Sequence, residues 1–176
     1  YRYRFALFVE KEGFQELLRV SKFAERFDLA IMRTKGMHVV ACRQLIDGLS
    51  QRGVTTLVAR DFDKWGFSIV ETLRSDSPRY SYGTEPKVLD LGLRLTDVKE
   101  MDLESEDVTY RGKKDPRINL RESGATEEEC SFLVHGRGPW GQGPWHGRRV
   151  ELNAMTSVQF IAWLERKLDA FGVKKV

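Results

Sequence analysis

The feature that most limits the fold is an alternation, over the first half of the chain, of short apolar runs with amphipathic stretches. Residues 3–9 (YRFALFV) read as an apolar run of strand length, the pattern of a strand buried on both faces. After Gly13, the positions Phe14, Leu17, Leu18, Phe23 and Phe27 recur mostly at helical spacing and predict one helix over 14–27. Residues 29–32 are a second short strand, ended by Thr34-Lys35-Gly36. Val39, Val40, Leu45, Ile46 and Leu49 then mark a second helix, closed by Gly53. Residues 54–59 (VTTLVA) are rich in β-branched side chains and read as a third strand. A third helix over 65–73 and a fourth strand over 87–91 (KVLDL) complete the series. Strands alternating with helices at this spacing predict an α/β fold: a parallel four-stranded sheet covered by flanking helices through right-handed crossovers.

From Leu93 the character changes. Residues 97–114 are dense in charge and poor in apolar side chains, so loop and short helix both remain open. Thr126 with Glu129 three residues on forms a capping-box pattern that opens a helix to about Val134. Residues 136–147 (GRGPWGQGPWHG), with GPW twice, are expected to be a loop, and 149–152 a short strand. A closing helix over 156–171 carries Val158, Ile161, Leu164 and Leu168 as an apolar stripe, read as core. The division expected is a core over 1–98 with a C-terminal helical and loop extension, 99–176, packed on it. Because Tyr1 already stands at the edge of a strand, the chain is expected to be a piece of a longer protein.

Composition narrows the function classes. With 29 basic and 26 acidic residues the net charge is only +3, which excludes a simple electrostatic glue for nucleic acid but leaves room for a local basic face. Cys42 and Cys130 belong to no ligand-spaced cluster, so two free thiols in a reducing, cytoplasmic setting are expected, with one disulfide as the alternative. His38, His135 and His146 lack the partners a zinc site needs. No apolar run reaches the ~20 residues of a membrane span, so no membrane partner is expected.

Three carboxylates fall at equivalent places. Glu10 directly follows the first strand, Asp61 follows the third, and Asp63 lies two residues beyond Asp61, with Gly66 opening the next helix. Ligands of open parallel sheets bind outside the carboxyl ends of the strands. If the first and third strands are neighbours, Glu10, Asp61 and Asp63 converge on one crevice. Like charges so placed raise one another's pKa unless a divalent cation intervenes, and hard oxygen ligands suit Mg²⁺ or Mn²⁺. Such a cation would stabilise charge during displacement at phosphorus, with Glu10 available as general acid or base. Lys11, Arg33, Lys35, Arg60 and Lys64 flank the same strand ends and would neutralise a phosphodiester, unless Arg60 faces a helix instead. Gly36 and Gly66 would let the backbone approach a phosphate without a Cβ in the way. The competing reading is that Glu10 caps the following helix while Asp61 and Asp63 begin a turn. Asp90, Asp97 and the acidic run 127–129 read as solvated or capping groups.

The wording of the segments adds to this. FALFVEKEGF, MRTKGM, LVARDFDKWGFSI and VLDLGLRLTDV resemble, in that order, the toprim segments of topoisomerase VI A-subunit relatives, which include the protein that makes meiotic double-strand breaks. The matching residues are Glu10, Lys11, Lys35, Gly36, Asp61, Asp63 and Gly66, and VELNA from Val150 is similar as well. Specific motifs cover about residues 4–98, the rest more loosely. A nearer likeness is to bacterial toprim proteins, including the nuclease subunit of the Wadjet plasmid-defence system. The resemblance implies a toprim, Rossmann-like fold and Mg²⁺-dependent cleavage or transfer of DNA phosphodiesters. It implies catalytic Glu10, Asp61, Asp63 and Lys35, metal ligation by the three carboxylates, and DNA contacts from Lys11, Lys35 and Gly36, beside those expected of Arg33 and Lys64 from their places at the strand ends. DNA, other domains of the full-length protein and other subunits are the partners it implies. One departure stands out: topoisomerase VI-like enzymes cleave through a tyrosine on a separate winged-helix domain. Tyr1 and Tyr3 read as strand residues and Tyr80, Tyr82 and Tyr110 as loop aromatics, none in surroundings like that tyrosine's. The attacking group is therefore expected from outside this chain, or from water.

Rival readings are a non-catalytic toprim-like module that binds DNA or protein, and an aspartyl-phosphate phosphatase using Asp61 and Asp63. The second leaves Glu10 unexplained. The 136–147 segment offers Trp140 and Trp145 for base stacking and Arg137, Arg148 and Arg149 for phosphates, or else is a surface loop held by its tryptophans.

Overall fold

The computed structural model describes residues 3–9, 11–32 and 39–176, with the backbone only at Glu12. Of the expected site residues, Glu10, Arg33, Lys35 and Gly36 lie outside that set. The described chain forms two compact units: Tyr1–Arg60, Thr72–Leu91 and Thr156–Val176 in one, Asp61–Glu71 and Gly92–Met155 in the other. They interleave along the chain, whereas chain order alone suggested a single cut near residue 98. Among the described residues no helix is long and apolar enough to cross a membrane.

The first unit is built on a four-stranded parallel sheet of β1 (Phe5–Val9), β2 (Leu29–Met32), β3 (Thr55–Ala59) and β4 (Val88–Asp90), in the order β2-β1-β3-β4. β1 and β3 are the central pair, and four of the five residues of each are buried, as expected of strands covered on both faces. Their register sets Val9 opposite Ala59. From β1 the chain passes to β2 on one side, and from β3 to β4 on the other. The crevice outside the carboxyl ends of β1 and β3 is thus the topological switch point of the sheet.

The helix expected over 14–27 is broken. It forms α1 (Gln15–Val20) and α2 (Phe23–Phe27), with Lys22 between them in left-handed conformation at φ 49°. Leu18 and Phe23 are five residues apart, which on a continuous helix would rotate them far off one face. The break restores both to the core, where each is fully buried. α3 (Val39–Gln51) and α8 (Ser157–Ala170) belong to the same unit. On α8 the buried face is Phe160, Trp163, Leu164 and Leu168, and Phe160 stacks on Phe14 at 4.0 Å. The expected stripe is corrected there: Leu164 and Leu168 hold, but Val158 is 80% exposed. Asp90 is also not the solvated group expected. Its Oδ2 accepts from Nη2 of the fully buried Arg60 at 2.7 Å.

In the second unit, the stretch 97–114 read as loop or short helix contributes one strand to a three-stranded antiparallel sheet. β5 (Glu106–Tyr110) pairs with β7 (Trp145–Arg149), which pairs with the short β6 (Gly136–Arg137). The GPW segment is therefore a hairpin, not a free loop. Around the sheet lie α5 (Leu95–Glu100), α6 (Pro116–Glu122) and α7 (Glu127–Leu133). α7 opens with the expected capping box, Thr126 Oγ1 accepting from Glu129 N and Glu129 Oε2 from Thr126 N. Glu129 is 3% exposed and also receives Arg94 Nη2 at 2.7 Å, so it ties α5 to α7 as well as capping. Asp97 caps its own helix by accepting from Arg94 N. Cys42 and Cys130 are free and buried, and burial pushes both thiols up.

Candidate metal and phosphodiester site

β3 ends at Ala59, and the chain runs through Arg60 into the Asp61-Phe62-Asp63 segment, then into α4 (Lys64–Arg74). Phe62 makes an antiparallel bridge with Val150: its N–H donates to Val150 O at 2.8 Å and Val150 N–H returns the bond at 3.0 Å. Phe62 is fully buried, against Phe67 at 6.1 Å and Phe132 at 5.6 Å between ring centres, so the apolar middle residue anchors the segment that carries the two carboxylates.

Both aspartates are 9% exposed. Asp61 Oδ1 accepts from Leu152 N–H at 2.6 Å, and Asp63 Oδ1 accepts from Gly66 N–H at 2.5 Å. The second bond makes Asp63 the N-cap of α4, a role beyond the turn expected of it in the competing reading. It occupies one of the two carboxylate oxygens. Gly66 N–H is taken by Asp63, which leaves it no donor for a phosphate. The Val150–Leu152 backbone was the part that sequence reasoning missed as a component of the site. The likeness of VELNA was the available signal, but a main-chain donor some ninety positions away carries none of its own.

Among the described residues no group of three or more His, Cys, Asp or Glu gathers as a metal cage would. The described donor set is the pair Asp61 and Asp63. Two carboxylates with backbone-fixed orientation suit Mg²⁺, which is commonly held by one or two carboxylates and fills its octahedron with water and phosphate oxygens. The donors therefore fit that ion.

Of the expected basic residues, Lys11 is half-buried just after β1. Arg60 is committed to Asp90 and lies inside the sheet unit, so its phosphodiester role is corrected. Lys64 sits at the start of α4, its Nζ 5.0 Å from the Trp65 ring and 5.7 Å from the Tyr110 ring. The hairpin residues divide. Trp140 is 97% exposed at its tip, whereas Trp145 is half-buried, with the Arg117 and Arg137 guanidiniums 5.5 and 5.2 Å from its ring centre. Arg149 pairs with Glu106 and Glu151, and Arg148 lies over Phe132.

Three of the described tyrosines are built in. Tyr80 donates to Asp47, and Tyr82 donates to Leu73 O. Tyr110, expected in a loop, is the last residue of β5. Burial, with the Asp63 carboxylate adding to it, pushes its hydroxyl up to about 12, against a smaller pull from Arg149. That is the wrong direction for a nucleophile.

No curated protein matches the chain. The family of topoisomerase 6 A-subunit/Spo11 toprim domains matches residues 5–138, well over half the chain, from β1 through the start of the hairpin. The fold agrees: a parallel sheet with flanking helices and D-x-D directly beyond β3. The chain therefore belongs to the topoisomerase 6 A-subunit/Spo11 toprim family and has the Rossmann-like toprim fold of a DNA-processing protein.

Proposed function

We propose that this chain is the metal-binding half of a centre that cleaves or transfers DNA phosphodiesters, with Asp61 and Asp63, joined by Glu10, as the Mg²⁺ or Mn²⁺ ligands. The observation that carries the reading is the D-F-D segment itself. It offers two buried carboxylates, each held by a backbone N–H, directly after a central strand in the chain. Glu10 enters by its place in the chain, immediately after β1, whose last residue lies opposite the last residue of β3. Bound Mg²⁺ would supply charge stabilisation at the phosphoryl oxygens. The chain's own part is to hold the carboxylates oriented before substrate arrives. Leu152 N–H does this for Asp61 and Gly66 N–H for Asp63, so little reorganisation is needed at the moment of reaction. Lys64 and Arg33, by their places beside the strand ends, and Lys11 and Lys35, by their family positions, neutralise the incoming strand, and Gly36 lets the backbone approach it. Lys35 is assigned to the catalytic set on the same ground. The attacking hydroxyl belongs to another domain, another subunit or water.

A non-catalytic module that binds DNA without metal is the second reading, favoured by the capping role of Asp63. Melting curves separate the two. At a Mg²⁺ or Mn²⁺ concentration of ten times Kd the stabilisation is about 1.4 kcal/mol, a rise of roughly 3–6 °C for a chain of this size. The combined Asp61→Asn and Asp63→Asn variant keeps hydrogen-bond acceptors for both N–H groups and should lose that rise. No rise in the wild-type chain at millimolar metal, with DNA binding intact in EDTA, would establish the second reading.

A further inference from the structure

Beside Asp63, within the second unit, lies a cavity of about 460 Å³ whose lining includes Asp63, Lys64, Trp65, Tyr110, Arg111 and Arg149. That is the size range of small-ligand sites. Tyr110 in its wall is 8% exposed, and its hydroxyl has no hydrogen-bond partner among the described residues. An orphaned buried donor is costly, and a ligand oxygen that accepts from it removes the cost. The Lys64 ammonium rests over two aromatic rings and has no carboxylate partner among the described residues. Arg111 is exposed and likewise without an ion pair among them. Arg149, in contrast, is held by Glu106 and Glu151 and serves as wall. Trp65 is 64% exposed, a large apolar face beside two available cations. A second cavity shares Lys64 and Trp65 and adds Lys114 and Asn119, so the same indole borders both.

Cations with an orphaned hydroxyl call for a phosphate oxygen, but inorganic phosphate has no use for an exposed indole. A phosphate carrying a flat ring uses both. We propose that this cavity is a subsite for one unpaired nucleotide of a nucleic-acid strand, its phosphate held by Lys64, Arg111 and the Tyr110 hydroxyl and its base stacked on Trp65. The inference deepens the reading of Asp61 and Asp63 as a phosphodiester centre, since it names the nucleotide next to the cleaved phosphate. Trp65 and Arg111 are exposed, so their truncation leaves the core intact.

The test is fluorescence anisotropy of the whole chain with a labelled twelve-nucleotide oligothymidine in EDTA, across a salt series. Trp65→Ala should weaken binding about tenfold, and Trp65→Phe should restore most of it, as stacking requires. Arg111→Ala should weaken it several-fold and reduce the salt slope by about 0.7, the share of one single-strand phosphate contact. Tyr110→Phe should weaken it while leaving the melting temperature unchanged or higher. A duplex of the same length should be little affected by Trp65→Ala. Wild-type failure to bind the oligothymidine, Trp65 and Arg111 variants within twofold of wild type, or an equal loss on duplex would each overturn the subsite. Because these measurements contain no metal, the two readings fail separately. Normal binding by the variants beside an intact Mg²⁺ melting rise removes the subsite alone. The expected binding losses beside no Mg²⁺ rise remove the metal site alone.

Discussion

Asp90→Ala is expected to lower the unfolding free energy by about 3–5 kcal/mol, because it takes a counter-charge from a guanidinium buried inside the sheet unit. Arg60 follows β3 with none of its side chain exposed, and its Nη2 donates to Asp90 Oδ2 at the end of β4, 2.7 Å away. A guanidinium cannot shed its proton at any ordinary pH, so removing this carboxylate takes a counter-charge from a cation that stays charged in the interior. Asp90 is 18% exposed, and water entering the vacated space favours the lower end of that range. At roughly 2–4 °C per kcal/mol for a chain of this length, the melting temperature should fall by about 10 °C. Asp90→Asn, which keeps an acceptor but not the charge, should fall between. The double replacement Arg60→Met with Asp90→Leu should lie near the wild type, because an apolar pair of similar volume avoids the desolvation cost. Urea unfolding of the three variants distinguishes the pair from ordinary packing. A loss below about 1 kcal/mol for Asp90→Ala would mean that the charge finds water.

The parallel sheet was legible because each strand needs apolar residues on both faces and therefore announces itself locally. Residues 5–9 and 55–59 carry that pattern without help from any partner. β5 (EDVTY) gave no such sign. Of its five residues only Tyr110 is buried, and its edge is completed by β7, with Glu106 set opposite Arg149. Polar strands paired across a gap this long look like charged loop from either side. The hairpin stayed hidden for a related reason: two GPW copies dominate its composition, while the pairing of Gly136 with His146 depends on backbone geometry. The break at Lys22 was legible in hindsight from the five-residue step between Leu18 and Phe23, which a count of apolar positions smooths over. In the candidate site, the acidic residues announced themselves by chemistry and place. What orients Asp61 is the amide of Leu152, and an amide is the same in every residue. The pairing of Arg60 with Asp90 was equally silent, since a charged residue at a strand end reads as a ligand for phosphate until its partner is seen.

That dependence on a distant backbone makes Gly147→Ala the second substitution with a large expected effect. Gly147 lies on β7, opposite Val108 of β5. A Cβ built there would stand 1.7 Å from Leu133 O, 2.5 Å from Leu133 C and 3.1 Å from Val134 Cα. Those are backbone atoms at the end of α7, in the turn where His135 N–H donates to His146 O, so no rotamer change can make room. Either β7 or the end of α7 must move by more than an ångström. Overpacking of a core costs about 1–3 kcal/mol where side chains can yield, so a backbone clash should cost at least about 3 kcal/mol. Gly136→Ala, on the neighbouring strand with nothing within 4 Å of its Cβ, is the control and should change stability by less than about 0.5 kcal/mol. β7 also leads directly into Val150 and Leu152, the residues that pair with Phe62 and hold Asp61. A displaced β7 should therefore loosen Asp61 in whatever fraction of Gly147→Ala remains folded. The melting rise with Mg²⁺ should shrink along with the baseline melting temperature, while Gly136→Ala retains both. A Gly147→Ala chain that melts like the wild type would show that β7 and α7 separate at little cost. One that melts early but keeps the full Mg²⁺ rise would uncouple the Leu152 amide from metal binding.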